Sequence, residues 1–147
     1  MRRSGVVVGI AVALVGCTSA GFSTAKYCPA AQAAEDSSRK LQSGAAFSTP
    51  GGGQAAFSDL IAKARAARDL APATIKTDLA TIVAAAEKVD AALVKVGYDF
   101  TKLDPATQQI LNDKTINDAA DRIGAYNKTS CPGFRSNGVG GAASTAN

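Results

Sequence analysis

Apolar and polar positions alternate at helical spacing through most of the chain, and most clearly where Ile75, Leu79, Ile82, Ala86, Val89, Leu93 and Val96 recur at steps of four and three. Such a seam predicts a helix packed at a shallow angle against its neighbours, with Val83 widening the stripe and the small Ala86 admitting a close backbone approach. Pro72 suits its first turn and Gly97 its end. Pairing between chains as a coiled coil is the other use of three heptads, but the flanking amphipathic segments favour an internal bundle. Upstream, Phe57, Leu60, Ile61, Ala64 and Ala67 fall on one side of a predicted helix over 54–70. Thr49, Pro50 and Gly51 to Gly53 break the chain before it, and Pro29 with Ala30 to Leu41 predicts an earlier helix ended by Gly44.

Beyond a turn holding Tyr98, Asp99 and Phe100, Asp104 and Pro105 open a fourth helical region. Its apolar phase does not hold. Ile110 and Leu111 point one way while Ile116, Ala119, Ala120, Ile123 and Tyr126 lie nearly opposite, so a break is predicted around 112–115. The expected fold is therefore all-α, a small bundle of four to five helices. Glu35 with Arg39, Asp36 with Lys40 and Asp118 with Arg122 stand at i,i+4 on expected solvated faces. Lys63, Arg65 and Arg68 lie off the apolar side of the second helix with Asp59 and Asp69 beside them, which makes a solvated face a better reading than an anionic-lipid contact.

One apolar stretch has no polar face. It runs from Val6 to Val15 behind Arg2 and Arg3, too short for a hydrocarbon layer of about 30 Å and suited to a signal-peptide core. Ser4, Gly5 and Val6 do not complete a twin-arginine pattern, which leaves general export. With Leu14, Val15, Gly16 and Cys17 following, the segment resembles the export signal and lipobox of a bacterial lipoprotein. The resemblance implies cleavage after Gly16 and acylation of Cys17; an ordinary signal cut near Ala20 or Ala25 is the alternative. The expected organisation is a signal peptide over 1–16, a small polar tether over 17–27, a bundle over 28–135 and a Gly-, Ala- and Ser-rich tail over 136–147 that cannot bury a core.

Losing the signal changes the charge. Arg2 and Arg3 go with it, so of sixteen Lys and Arg fourteen remain against twelve acids. That balance gives no support for a nucleic-acid partner, which needs a clustered cationic face. With Cys17 taken up by lipid, Cys28 and Cys131 remain as an even pair in an oxidising setting, and a disulfide is expected between them.

The chain has no histidine, which removes Ser-His, Cys-His and HExxH chemistry. The Gly51 to Gly53 loop lacks the Lys and Ser or Thr of a phosphate-binding loop, and the Asn127 sequon is read as chance in a bacterial setting. Asn117, Asp118 and Asp121 lack the ligand density of a calcium loop, and no two acids are placed as an acid/base pair. Ala71, Pro72, Ile75 and Asp78 at the central helix, with Cys131 before Pro132 and Gly133, complete a layout that resembles small Ala-rich lipoproteins of actinobacteria. That resemblance implies location and helical architecture and carries over no catalytic residue. The expectation is a non-enzymatic lipoprotein without cofactor or metal, held on the outer face of the cytoplasmic membrane through Cys17 and acting on an envelope protein. A carrier or sensor of a small apolar ligand between the helices is the alternative.

Overall fold

The computed structural model describes residues 23–136. The signal segment, Cys17 and the tail from 137 lie outside the described residues. Five α-helices follow in order: α1 (Thr24–Gln42), α2 (Gly52–Asp69), α3 (Ala73–Lys95), α4 (Pro105–Leu111) and α5 (Lys114–Ser130), with single 3-10 turns at Ala45–Ser48 and Phe100–Lys102. Among the described residues there is no strand, and no helix is long and apolar enough to cross a membrane.

Short connections make neighbours antiparallel, and cross-helix pairs confirm the direction. Ser37, late in α1, meets Asp59, early in α2. Arg65 reaches Glu87, and Asp78 reaches Arg122. α3 lies between α2 and α5, while α1 packs along α2 and meets α5 only slightly. The break expected in the fourth region is real: α4 ends at Leu111, and Asp113 caps α5 by accepting from the backbone N–H groups of Thr115 and Ile116. Asp104 caps α4 likewise, accepting from Thr107 N at 2.9 Å.

Two apolar clusters fill the bundle. At one end Tyr27, Ala31, Ala67, Ala71, Ile75, Leu79 and Cys131 pack together; at the other Phe57, Val89, Leu93 and Leu103 do. Between them Ile61, Ala64, Val83 and Ala119 are buried at no more than 6% exposure and join the two clusters into one core. The Cys28–Cys131 disulfide closes the first end, with Cα atoms 5.4 Å apart.

Two expectations need correction. The sequence pattern runs the tether to residue 27 and starts the first helix at Pro29, yet α1 begins at Thr24 and carries Pro29 inside it. Tyr27 explains the difference: it is wholly buried, and its hydroxyl donates to Asn127 Oδ1 at 2.7 Å, which outweighs the one backbone bond that Pro29 cannot donate. On α3 the buried line is Ile75, Leu79, Val83, Val89 and Leu93, while Ile82 is only half-buried. A straight helix drifts past a 3.5-residue seam, and packing on both α2 and α5 draws Val83 to the centre. The surface charges also take partners beyond the one-turn pairs. Arg39 reaches Asp36 at 3.1 Å, Asp118 takes Lys114, and Arg122 makes a two-pronged contact with Asp78 at 2.7 and 3.0 Å. The crossing of α3 and α5 brings the planar guanidinium against that carboxylate, a geometry that a one-turn spacing cannot supply.

Candidate functional site

The end of the bundle opposite the disulfide carries the exposed apolar surface. Its foundation is the way α3 stops. Gly97 (φ 64°) and Tyr98 (φ 62°) both take the left-handed conformation, with Tyr98 N donating to Leu93 O at 2.8 Å and Gly97 N to Val94 O at 3.3 Å. This is a Schellman ending, and Gly97 supplies its left-handed residue without a side-chain penalty. For a tyrosine the same conformation costs on the order of 1–2 kcal/mol. Two contacts hold Tyr98 there: its hydroxyl donates to Asp90 Oδ1 at 2.6 Å, and its ring lies 6.1 Å from that of Phe57. Burial, then the bond to Asp90, pushes the Tyr98 phenol up to about 12.

Around this anchor the aromatic rings collect. Phe100 stands edge-on to Phe47 at 5.3 Å and tilted against Phe57 at 6.1 Å. Only Phe57 is buried; Phe47 and Phe100 are 38% and 39% exposed, and nearby Val94 is 55% exposed. The glycine-rich turn makes this possible at Gly53, where a Cβ would stand 2.8 Å from the Phe47 ring. The turn is thus a seat for an aromatic ring. Between it and the end of α3 opens a cleft of about 580 Å³, lined by Phe47, Thr49, Pro50, Gln54, Val94 and Tyr98 among others. It is open to solvent, and apolar side chains share its lining with the hydroxyl and amide groups of Ser48, Thr49, Gln54 and Tyr98.

Elsewhere the polar clusters brace the fold. Ser37, only 2% exposed, donates to Asp59 at 2.6 Å and accepts from Lys63 at 3.0 Å, while Lys63 pairs with Asp59 at 2.8 Å. A serine beside a lysine is a familiar nucleophile pair, but here the hydroxyl is shut in between α1 and α2 and its proton is committed to a carboxylate. The hydrogen bonds from Lys63 and Ser37 hold Asp59 below the usual carboxylate range. A shallower depression lies where Ser58, Arg65, Glu87 and Asp90 meet, with Arg65 and Glu87 joined at 2.7 Å.

Of the residues singled out from sequence, Cys28 and Cys131 are brought together, and Cys17 lies outside the described residues. Asn117, Asp118 and Asp121 are not gathered into a cation site: Asp118 is engaged by Lys114, and among the described residues no group of three or more His, Cys, Asp or Glu side chains is placed to hold a metal ion. The aromatic end was not foreseen. Phe47, Phe57, Tyr98 and Phe100 come from three separate segments, and the only local hints were the glycine-rich break and the turn at Tyr98 to Phe100. No protein-family model, curated protein or solved structure matches the chain.

Proposed function

We propose that this protein is a non-enzymatic envelope lipoprotein, anchored through acylated Cys17 to the outer face of the cytoplasmic membrane, which works by protein contact through its aromatic end. The observation that carries the reading is the placement of exposed Phe47, Val94 and Phe100 at the end away from Ser23, where the described chain leads back toward Cys17. From Cys17 to Ser23 an extended chain covers about 20 Å, so an anchored bundle keeps its disulfide end near the bilayer. α3, with 23 residues, spans about 35 Å and carries the aromatic end outward. Two or three acyl chains, each methylene contributing about 0.8 kcal/mol, make such an anchor effectively permanent. Exposed aromatic side chains over a buried one are the composition of a contact centre.

The test is crosslinking in the native host with a photoreactive residue at Phe100, at Phe47, or at the side-face position Asp121, exposed midway along α5. Expected is one discrete envelope-protein adduct from the first two positions, lost when Val94→Asp is added, and none from Asp121. The same adducts from all three positions, or none from Phe47 and Phe100, would refute the contact reading.

A further inference from the structure

We infer that the disulfide end of the bundle is a docking face for an anionic lipid surface, so that the membrane sets the orientation of the domain as well as its location. This rests on the anchoring reading for how that end comes to face a bilayer.

Four helix ends meet around Tyr27, Ala71, Ile75 and Cys131. Each brings a cation: Lys26 in the first turn of α1, Arg68 in the last turn of α2, Lys76 in the first turn of α3 and Lys128 in the last turn of α5. The two helix N-termini and two C-termini gathered there offset one another, leaving the side chains to set the field. Over 23–30, 66–78 and 122–136, six cations stand against two acids, Asp69 and Asp78, and those two are taken by Arg68 and Arg122. Lys26, Lys76 and Lys128 are exposed and have no ion-pair partner among the described residues. The aromatic end is different: Asp99, Asp104 and Asp113 cap its helical turns, and Lys102 is paired with Asp99. The small positive excess of the domain is therefore concentrated beside the tether.

Complementarity commits the partner to a surface rather than a pocket. The three exposed ammonium groups come from the ends of three different helices, which suits a plane of phosphate headgroups. Each cation held near an anionic bilayer raises binding by about fivefold, and the effect fades within a Debye length of the surface. Tethering by about 20 Å of chain keeps this end within reach of that field.

The experiment uses the protein as isolated from its host, added to or reconstituted in phosphatidylcholine vesicles with or without about a third phosphatidylglycerol. Lysine acylation by a water-soluble reagent is followed residue by residue by mass spectrometry. Expected is protection of Lys26, Lys76 and Lys128 by about threefold or more in the anionic vesicles only, reversed by high salt, with Lys95 and Lys102 unchanged. The Lys26→Gln, Lys76→Gln, Lys128→Gln variant should keep its thermal melt and lose the vesicle-dependent protection of neighbouring Ser23 to Cys28 backbone amides. Equal rates in both vesicle types, protection spread over all lysines, or protection by a soluble polyphosphate but not by vesicles would each overturn the inference. The N-terminal peptide in the same spectra reports the anchor separately. An unacylated protein that still floats with anionic vesicles through these lysines would sink the anchoring reading and leave the docking face standing.

Discussion

Breaking the bond between Cys28 and Cys131 removes a crosslink between positions 103 residues apart, and loop-closure entropy puts its contribution at about 4–5 kcal/mol. That is a large fraction of the 5–15 kcal/mol typical of a whole domain. The structure says where the loss falls. α1 rests on α2 along its length but meets α5 only at this end, through the disulfide, the Tyr27 to Asn127 hydrogen bond and the edge-on contact of Tyr27 with Tyr126 at 5.9 Å. Cys131 is 3% exposed, so a Cys28→Ala, Cys131→Ala variant leaves an apolar side chain in an apolar place and isolates the crosslink from polarity effects. At about 4 °C per kcal/mol for a domain of this size, the midpoint of thermal unfolding should fall by roughly 15–20 °C in that variant and in the reduced wild type alike. Circular-dichroism melts with and without reductant measure this, and hydrogen exchange should show Tyr27 to Ala31 losing protection well before Leu79 to Leu93. A midpoint shift below about 5 °C, or uniform loss of protection, would show that the bridge does not hold the ends as argued.

Tyr27→Phe keeps the ring and strips Asn127, 4% exposed, of its donor; chemical denaturation should register a loss of about 1–3 kcal/mol, and a neutral outcome would mean that the pair is not desolvated. Burial first, then the neighbouring Tyr126, pushes the Tyr27 phenol up to about 12, against an unfolded value near 10. Because the unfolded chain gives up this proton first, stability is fully present below pH 10 and is lost as pH rises toward 12; absorbance at 295 nm should show Tyr27 ionising with unfolding, and ionisation near 10 in the intact fold would contradict the burial. The Arg122 guanidinium holds Asp78 below the usual carboxylate range, so its contribution is present above that range and is lost as pH falls below it, through the lowered value of the folded state. Asp78→Asn should therefore lower the melting temperature at neutral pH and leave it unchanged in strong acid; an equal drop at both would place the effect in packing instead.

How much of this was legible in the chain follows from which forces act locally. The phase reversal between Ile110 with Leu111 and the later set ending in Tyr126 needs only helix periodicity, so with Leu111 closing α4 and Asp113 capping α5 the break fell where the pattern put it. The Cys28–Cys131 pair needed counting once the lipobox resemblance had set Cys17 aside. Local rules failed where a long-range contact outweighed them: Pro29 reads as a helix start until Tyr27 is seen to be buried against Asn127, 100 residues away. Val83 displaced Ile82 because α3 has neighbours on two sides, and Arg122 chose Asp78 because two helices cross there. The aromatic end was least legible of all. Phe57 falls on the apolar side predicted for its helix, but Phe47 and Phe100 carry no spacing signal, and only the folded chain sets Phe100 5.3 Å from the Phe47 ring and 6.1 Å from that of Phe57.

The proposed anchoring turns on the fate of Cys17, and the mass of the protein taken from the membrane fraction of its native host reads it directly. Expected is a polypeptide beginning at Cys17 that carries two or three fatty acyl groups, with Cys28 and Cys131 oxidised. A chain that begins beyond position 17, or begins there without acyl mass, would contradict the anchored, outward-facing bundle.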